Sequence, residues 1–128
     1  MQHFWDLKVW QRSHALVLEI YGATKSYPGD ERFGLVSQLR RAAVSVPANI
    51  AEGAKRETAP DYARSLNIAE GSLAETEYLL LLSRDLGYIA AAVYEPLQRE
   101  ASEIARMLFA LRTFVFFTSS CAASYVDA

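Results

Sequence analysis

The chain has 128 residues, just over half of them apolar, and a net charge of −2. That is enough chain for one domain with a real core, and the charge argues against a generic nucleic-acid binder, which carries a strongly basic face. A single cysteine, Cys121, excludes an intrachain disulfide and a multi-cysteine metal site, and it fits a reducing cytoplasm.

The charge is unevenly spread: residues 1–58 sum to +2 and residues 59–128 to −4. The longest charge-free run, Thr113 to Val126, is shorter than the roughly 20 residues of a membrane span and contains Thr118, Ser119, Ser120 and Ser124. A transmembrane helix is therefore not expected. The start, Met1-Gln2-His3-Phe4-Trp5-Asp6, lacks a basic stretch followed by an apolar one, so no signal peptide is expected either.

Four helical patterns follow one another. The first covers Asp6 to Lys25, with Val9, Trp10, Leu16, Val17, Ile20 and Tyr21 on one face. Ser26-Tyr27-Pro28-Gly29-Asp30 is a turn by composition. The second helix covers Glu31 to Ala54 with Asp30 as its N-cap. Pro47 lies inside it, removes one helix hydrogen bond and predicts a kink near Val44 to Pro47.

Thr58 caps the third helix, with Pro60 in its first turn and Asp61 at the third position of a capping box. Tyr62, Leu66, Ala69, Leu73, Thr76 and Leu80 carry the pattern on to Leu86, and Gly87 stops it. The fourth helix starts at Ala91 or Tyr94 and reaches Phe117, with Leu97, Ala101, Ile104, Leu108, Leu111 and Val115 as its core seam. Residues 1–118 form the bundle, and the tail from Ser119 to Ala128 is expected to fray.

Four long helices with short connections predict an all-α, antiparallel up-down-up-down four-helix bundle. Tyr78-Leu79-Leu80-Leu81-Leu82 is apolar around the whole helix, and Phe109, Phe114, Phe116 and Phe117 lie outside the fourth helix's seam. A bundle buries one face of each helix, so the surplus predicts further copies of the same chain.

The second helix also carries a polar ladder. Gln38, Arg41, Ser45, Asn49 and Glu52 follow at steps of three and four, which stack on one face. The rest of the segment is Leu, Ala, Val and Ile, so the ladder is expected to be buried and to need partners. Ser65, Ser72 and Glu75 of the third helix share its spacing. Arg41 is expected to pair with Glu52 or Glu75, with Ser45, Asn49 and Ser72 completing the hydrogen bonds. Gly71 and Ser72 are small enough to bring two helices close. We read Gln38, Arg41, Ser45, Asn49, Glu52, Ser72 and Glu75 as a structural network that fixes register.

The sequence resembles the bacterial four-helix-bundle proteins known as the 23S rRNA-intervening-sequence or S23 family. The resemblance rests on Phe4-Trp5-Asp6-Leu7-Lys8-Val9-Trp10-Gln11 and Tyr27-Pro28, and on the run from Glu31 through Ala42. It continues in Ser45-Val46-Pro47-Ala48-Asn49-Ile50-Ala51-Glu52-Gly53, Ile68-Ala69-Glu70-Gly71-Ser72-Leu73-Ala74-Glu75 and Leu86-Gly87-Tyr88-Ile89. It implies a homo-oligomeric ring, commonly of five subunits, and no settled activity. A related bundle, the accessory protein of diversity-generating retroelements, looks like a nucleic-acid-binding partner of a reverse transcriptase.

No catalytic constellation is visible. His3 and His14 are the only histidines, no Glu-x-x-His pair accompanies Glu70, Glu75 and Glu77, and the glycines are isolated. No metal site and no cofactor are expected, and Cys121 is read as inert. Arg40, Lys55, Arg56 and Arg64 are the candidate nucleic-acid contacts, which a ring would repeat around its axis. The expected function is that of a non-enzymatic cytoplasmic assembly protein. The alternatives are an accessory ring contacting RNA or DNA phosphates, and a small-ligand binder or enzyme centred on Arg41, Asn49, Glu52 and Glu75.

Overall fold

The computed structural model describes the backbone of residues 3–127 and the side chains of residues 3–118. It contains four α-helices: α1 (Lys8–Thr24), α2 (Leu35–Ala54), α3 (Ala59–Asp85) and α4 (Ala91–Asp127), with no strand among the described residues. α1 packs on α2 and α4, and α3 packs on α2 and α4, so the chain closes around one core.

That core consists of the expected stripes. Val9, Leu16, Val17 and Ile20 of α1 meet Leu39, Ala42, Ala43, Val46 and Ile50 of α2. Leu66, Ala69, Leu73 and Leu80 of α3 and Leu97, Ala101, Ile104 and Leu108 of α4 complete it. Each fully buried Leu or Ile contributes about 1.5–3 kcal/mol. Buried hydroxyls bond back to their own helix: Ser13 to the Val9 carbonyl at 2.6 Å, Thr24 to Ile20 at 2.8 Å and Ser83 to Leu79 at 2.8 Å. Among the described residues, only the Thr24 hydroxyl of these three also has a partner from another helix, Arg40 of α2.

Two helix starts differ from expectation. Phe4–Asp6 and Gly29–Glu31 are short 3-10 turns, so α1 begins at Lys8 and α2 at Leu35. Asp30 is not the N-cap of α2; Gly34 holds that position without a side-chain bond. A glutamate takes over part of the task, because Glu31 Oε1 accepts from the Leu35 amide at 3.4 Å. Its other oxygen accepts from the Tyr88 hydroxyl at 3.0 Å, which ties the entry of α2 to the segment after α3.

The ends of α3 follow the sequence. The Asp61 amide donates to Thr58 Oγ1 at 3.3 Å. At the far end Gly87 has φ +78°, a region that favours glycine. The Tyr88 amide reaches the Ser83 carbonyl and the Gly87 amide reaches Arg84, both at 2.9 Å, which together form a Schellman stop.

The apolar run on α3 is absorbed within the chain. Leu79 and Leu80 are buried, and Leu81 and Leu82 pack against the core, because α3 lies between two long neighbours. Tyr78 alone of that run is exposed. On α4, by contrast, Phe109, Phe114, Phe116 and Phe117 are each more than half exposed. α4 extends to Asp127, and the side chains of the tail from Ser119, Cys121 included, lie outside the described residues. No helix among the described residues is long and apolar enough to cross a membrane.

Candidate functional site

The polar ladder lies along the border between α2 and α3 and not beneath it. Gln38, Arg41 and Glu52 are exposed, while Ser45 and Asn49 are half-buried. The reason is angular. Leu39, Ala42, Ala43, Val46, Ile50 and Gly53 already form the buried stripe of α2, and the ladder runs beside that stripe. Groups at this border keep contact with water, so burial does not force them to pair.

Three ladder members do meet. Ser45 Oγ lies 2.8 Å from Ser72 Oγ, the one side-chain bond of the ladder between α2 and α3. Asn49 Nδ2 donates to the Ser45 carbonyl at 2.7 Å and to Ser45 Oγ at 3.0 Å. The other expected pairs are not formed. Among the described residues Arg41 has no ion-pair partner, and Glu52 bonds Arg56, just past the end of its own helix. Arg41 shares only a surface hollow of about 480 Å³ with Glu75, together with Phe33, Gly34, Ser37 and Gln38. None of these groups sets a nucleophile beside a base: the Ser45 hydroxyl faces an amide and a second hydroxyl.

Close approach of α2 and α3 depends on a different glycine from the one expected. A Cβ on Gly71 meets nothing within 4 Å, whereas one on Gly53 lies 2.8 Å from Ser65 Cβ and 3.0 Å from Tyr62 Cδ1. Gly53 therefore sits at a tight point of the contact. Acidic Glu70 instead reaches α4, where it pairs with Arg112.

The basic candidates separate into two places. Arg56 and Arg64 line a hollow of about 340 Å³ with Glu52 and Asp61, so the charge there is mixed. Lys55 is exposed at the end of α2. Arg40 lies elsewhere. Its Nε donates to Thr24 Oγ1 at 2.9 Å and its Nη2 to the Tyr21 carbonyl at 3.3 Å, and its guanidinium covers the Tyr21 ring at 4.5 Å.

Arg40 belongs to a cluster that sequence spacing did not reveal. Arg32, Arg40 and Arg41 surround a hollow of about 510 Å³ with Tyr21, Phe33, Val36, Ser37, Val44 and Ser45. Phe33 is 87% exposed, and the Arg32 guanidinium sits 5.3 Å from its ring centre. Arg32 and Phe33 lie in the turn before α2 and not, as the spacing predicts, within a helix from Glu31; the adjacent pairs Arg32-Phe33 and Arg40-Arg41 are the available signal.

The histidines are exposed and stacked on indoles, His3 on Trp5 at 4.2 Å and His14 on Trp10 at 5.1 Å. Among the described residues no three His, Cys, Asp or Glu side chains are grouped to hold a metal ion.

A family model described as 23S rRNA-intervening sequence protein matches residues 5–110. A solved structure from Bacteroides thetaiotaomicron, a protein with unknown function from the S23 ribosomal protein family, is 28% identical. The match covers 81% of this chain and 97% of that one, with a TM-score of 0.76. No curated protein matches the chain. The all-α fold and the match across α1, α2, α3 and most of α4 agree: the chain belongs to the 23S rRNA-intervening sequence protein family.

Proposed function

We propose that the chain is a non-enzymatic, cytoplasmic, self-assembling protein. In this reading it is an antiparallel up-down-up-down four-helix bundle, bent at Pro47, that associates into a homo-oligomeric ring of five copies. The observation that carries the reading is the outer surface of α4. Phe109, Phe114, Phe116 and Phe117 each expose more than half of their surface, although the core seam of that helix is complete without them. A large aromatic side chain that stays wet forgoes about 1.5–3 kcal/mol. Four on one helix make a patch that a second copy can cover. The ladder supports a structural role, since its one link between α2 and α3 joins two hydroxyls.

Sedimentation equilibrium at micromolar concentration tests the reading. The expected mass is five times the 14.3 kDa of one chain. A monomer at all concentrations would remove it.

A further inference from the structure

We propose that the hollow between Arg32, Arg40 and Arg41 binds a nucleotide, with its terminal phosphate on the guanidinium groups and its base against Phe33. This goes beyond self-assembly and does not rest on it.

The size fits. A hollow of about 510 Å³ lies within the range of small-ligand sites and is too small for a folded partner. The charge fits as well. Three arginines line it and no acidic residue does. Of the acids around it, Glu31 holds the Tyr88 hydroxyl and the Leu35 amide, and Glu75 lines an adjoining hollow that shares Phe33, Ser37 and Arg41. A terminal phosphate monoester carries about −1.5 to −2 at neutral pH, a better match to three cations than a single carboxylate.

The geometry is partly set in advance. Arg40 is held from two sides, by Thr24 Oγ1 and by the Tyr21 carbonyl, and rests on the Tyr21 ring. Its Nη1 makes no hydrogen bond among the described residues, so the N–H groups of that nitrogen remain for phosphate oxygens. Arg41 brings a second guanidinium with no ion-pair partner among the described residues. The apolar part of the hollow is Val36, Val44 and the Phe33 ring. A ring this exposed on a protein surface is a stacking platform for a base.

The two sources of such a ligand are a free mononucleotide and the 5′-phosphorylated end of a single strand. Calorimetric titrations at low salt with adenosine 5′-monophosphate, inorganic phosphate, and one single-stranded RNA with either a 5′-phosphate or a 5′-hydroxyl test the proposal. The expected result is that the mononucleotide binds more tightly than inorganic phosphate. If the 5′-phosphorylated strand also binds more tightly than its 5′-hydroxyl twin, strand ends are ligands too; if it does not bind, the ligand is the free nucleotide. Arg41→Ala should weaken the mononucleotide about tenfold, and Phe33→Ala about five- to a hundredfold. Both side chains are exposed, so thermal melts of the variants should match the parent. Four results overturn the proposal: no mononucleotide binding; equal affinity for phosphate and mononucleotide; unchanged affinity in either variant; or loss of assembly in Phe33→Ala, which would make this face a contact between copies.

Discussion

Arg12 of α1 and Glu100 of α4 form a two-pronged ion pair, Nε to Oε1 at 2.7 Å and Nη2 to Oε2 at 2.8 Å. The same guanidinium reaches Met107 Sδ with its third nitrogen. The pair fastens the first helix to the last, where the chain closes on itself.

Its pH dependence has a definite sign. The bonds from Arg12 hold the Glu100 carboxyl below its usual range, with burial opposing them. A depressed carboxylate stabilises the fold above its unfolded pKa and loses that contribution as pH falls through the folded value. Glu100→Gln should therefore melt below the parent at neutral pH, and the gap should close in acid, below the usual carboxylate range. Both side chains are partly exposed, so the gap should be modest and shrink with salt. Melting curves at several pH values check this; a gap that widens in acid would contradict it.

The phenylalanines of α4 give a second prediction. Phe109→Asp combined with Phe116→Asp places charges on the outer side of α4 without touching the buried seam of Leu108 and Val115. The expected result is a folded monomer, with unchanged far-ultraviolet circular dichroism and a lower sedimenting mass. An oligomer that survives both changes would show that assembly uses another face.

The ladder should be energetically uneven. Ser72→Ala removes the partner of Ser45 across α2 and α3 and should cost about 1 kcal/mol in chemical denaturation. Arg41→Ala changes an exposed side chain with no ion-pair partner and should stay within about 0.5 kcal/mol of the parent. Equal costs at the two positions would mean that Arg41 is covered in the assembled protein.

Three glycines separate propensity from packing. Gly71→Ala adds a methyl group to open space in the middle of α3 and should stabilise by about 0.5–1 kcal/mol. Gly53→Ala drives its Cβ against Ser65 Cβ and the Tyr62 ring and should destabilise by about 1–3 kcal/mol despite the better helix former. Gly87→Ala forces a side chain to a positive φ and should cost about 1–2 kcal/mol. Unfolding in urea gives all three signs, and a stabilised Gly53→Ala would mean that α2 and α3 can move apart at no cost.

Much of the architecture was legible in the chain because it depends on local spacing. The periodic stripes place Leu16, Ile20, Leu39, Ile50, Leu66, Leu73, Ile104 and Leu108 in one core, and the Thr58 cap and Gly87 stop bound α3 where turn chemistry requires. The start of α2 was less legible. Asp30 suits a helix entrance by residue type, but α2 starts at Leu35, where Glu31 bonds the Leu35 amide and the hydroxyl of Tyr88, far along the chain.

The site shows the same division more sharply. Spacing alone determined that Gln38, Arg41, Ser45, Asn49 and Glu52 share one stripe, but not that the stripe lies at the edge of a helix contact, since periodicity fixes an angle and not what faces it. Only the tertiary structure decided that Ser45 meets Ser72, that Arg41 pairs with neither Glu52 nor Glu75, and that Gly53 rather than Gly71 carries the close approach. It also brought Arg32 and Phe33, from a turn, beside Arg40 and Arg41 on a helix and Tyr21 on another. Such groupings depend on how whole helices settle against one another, a property of summed packing that no single stretch of sequence contains.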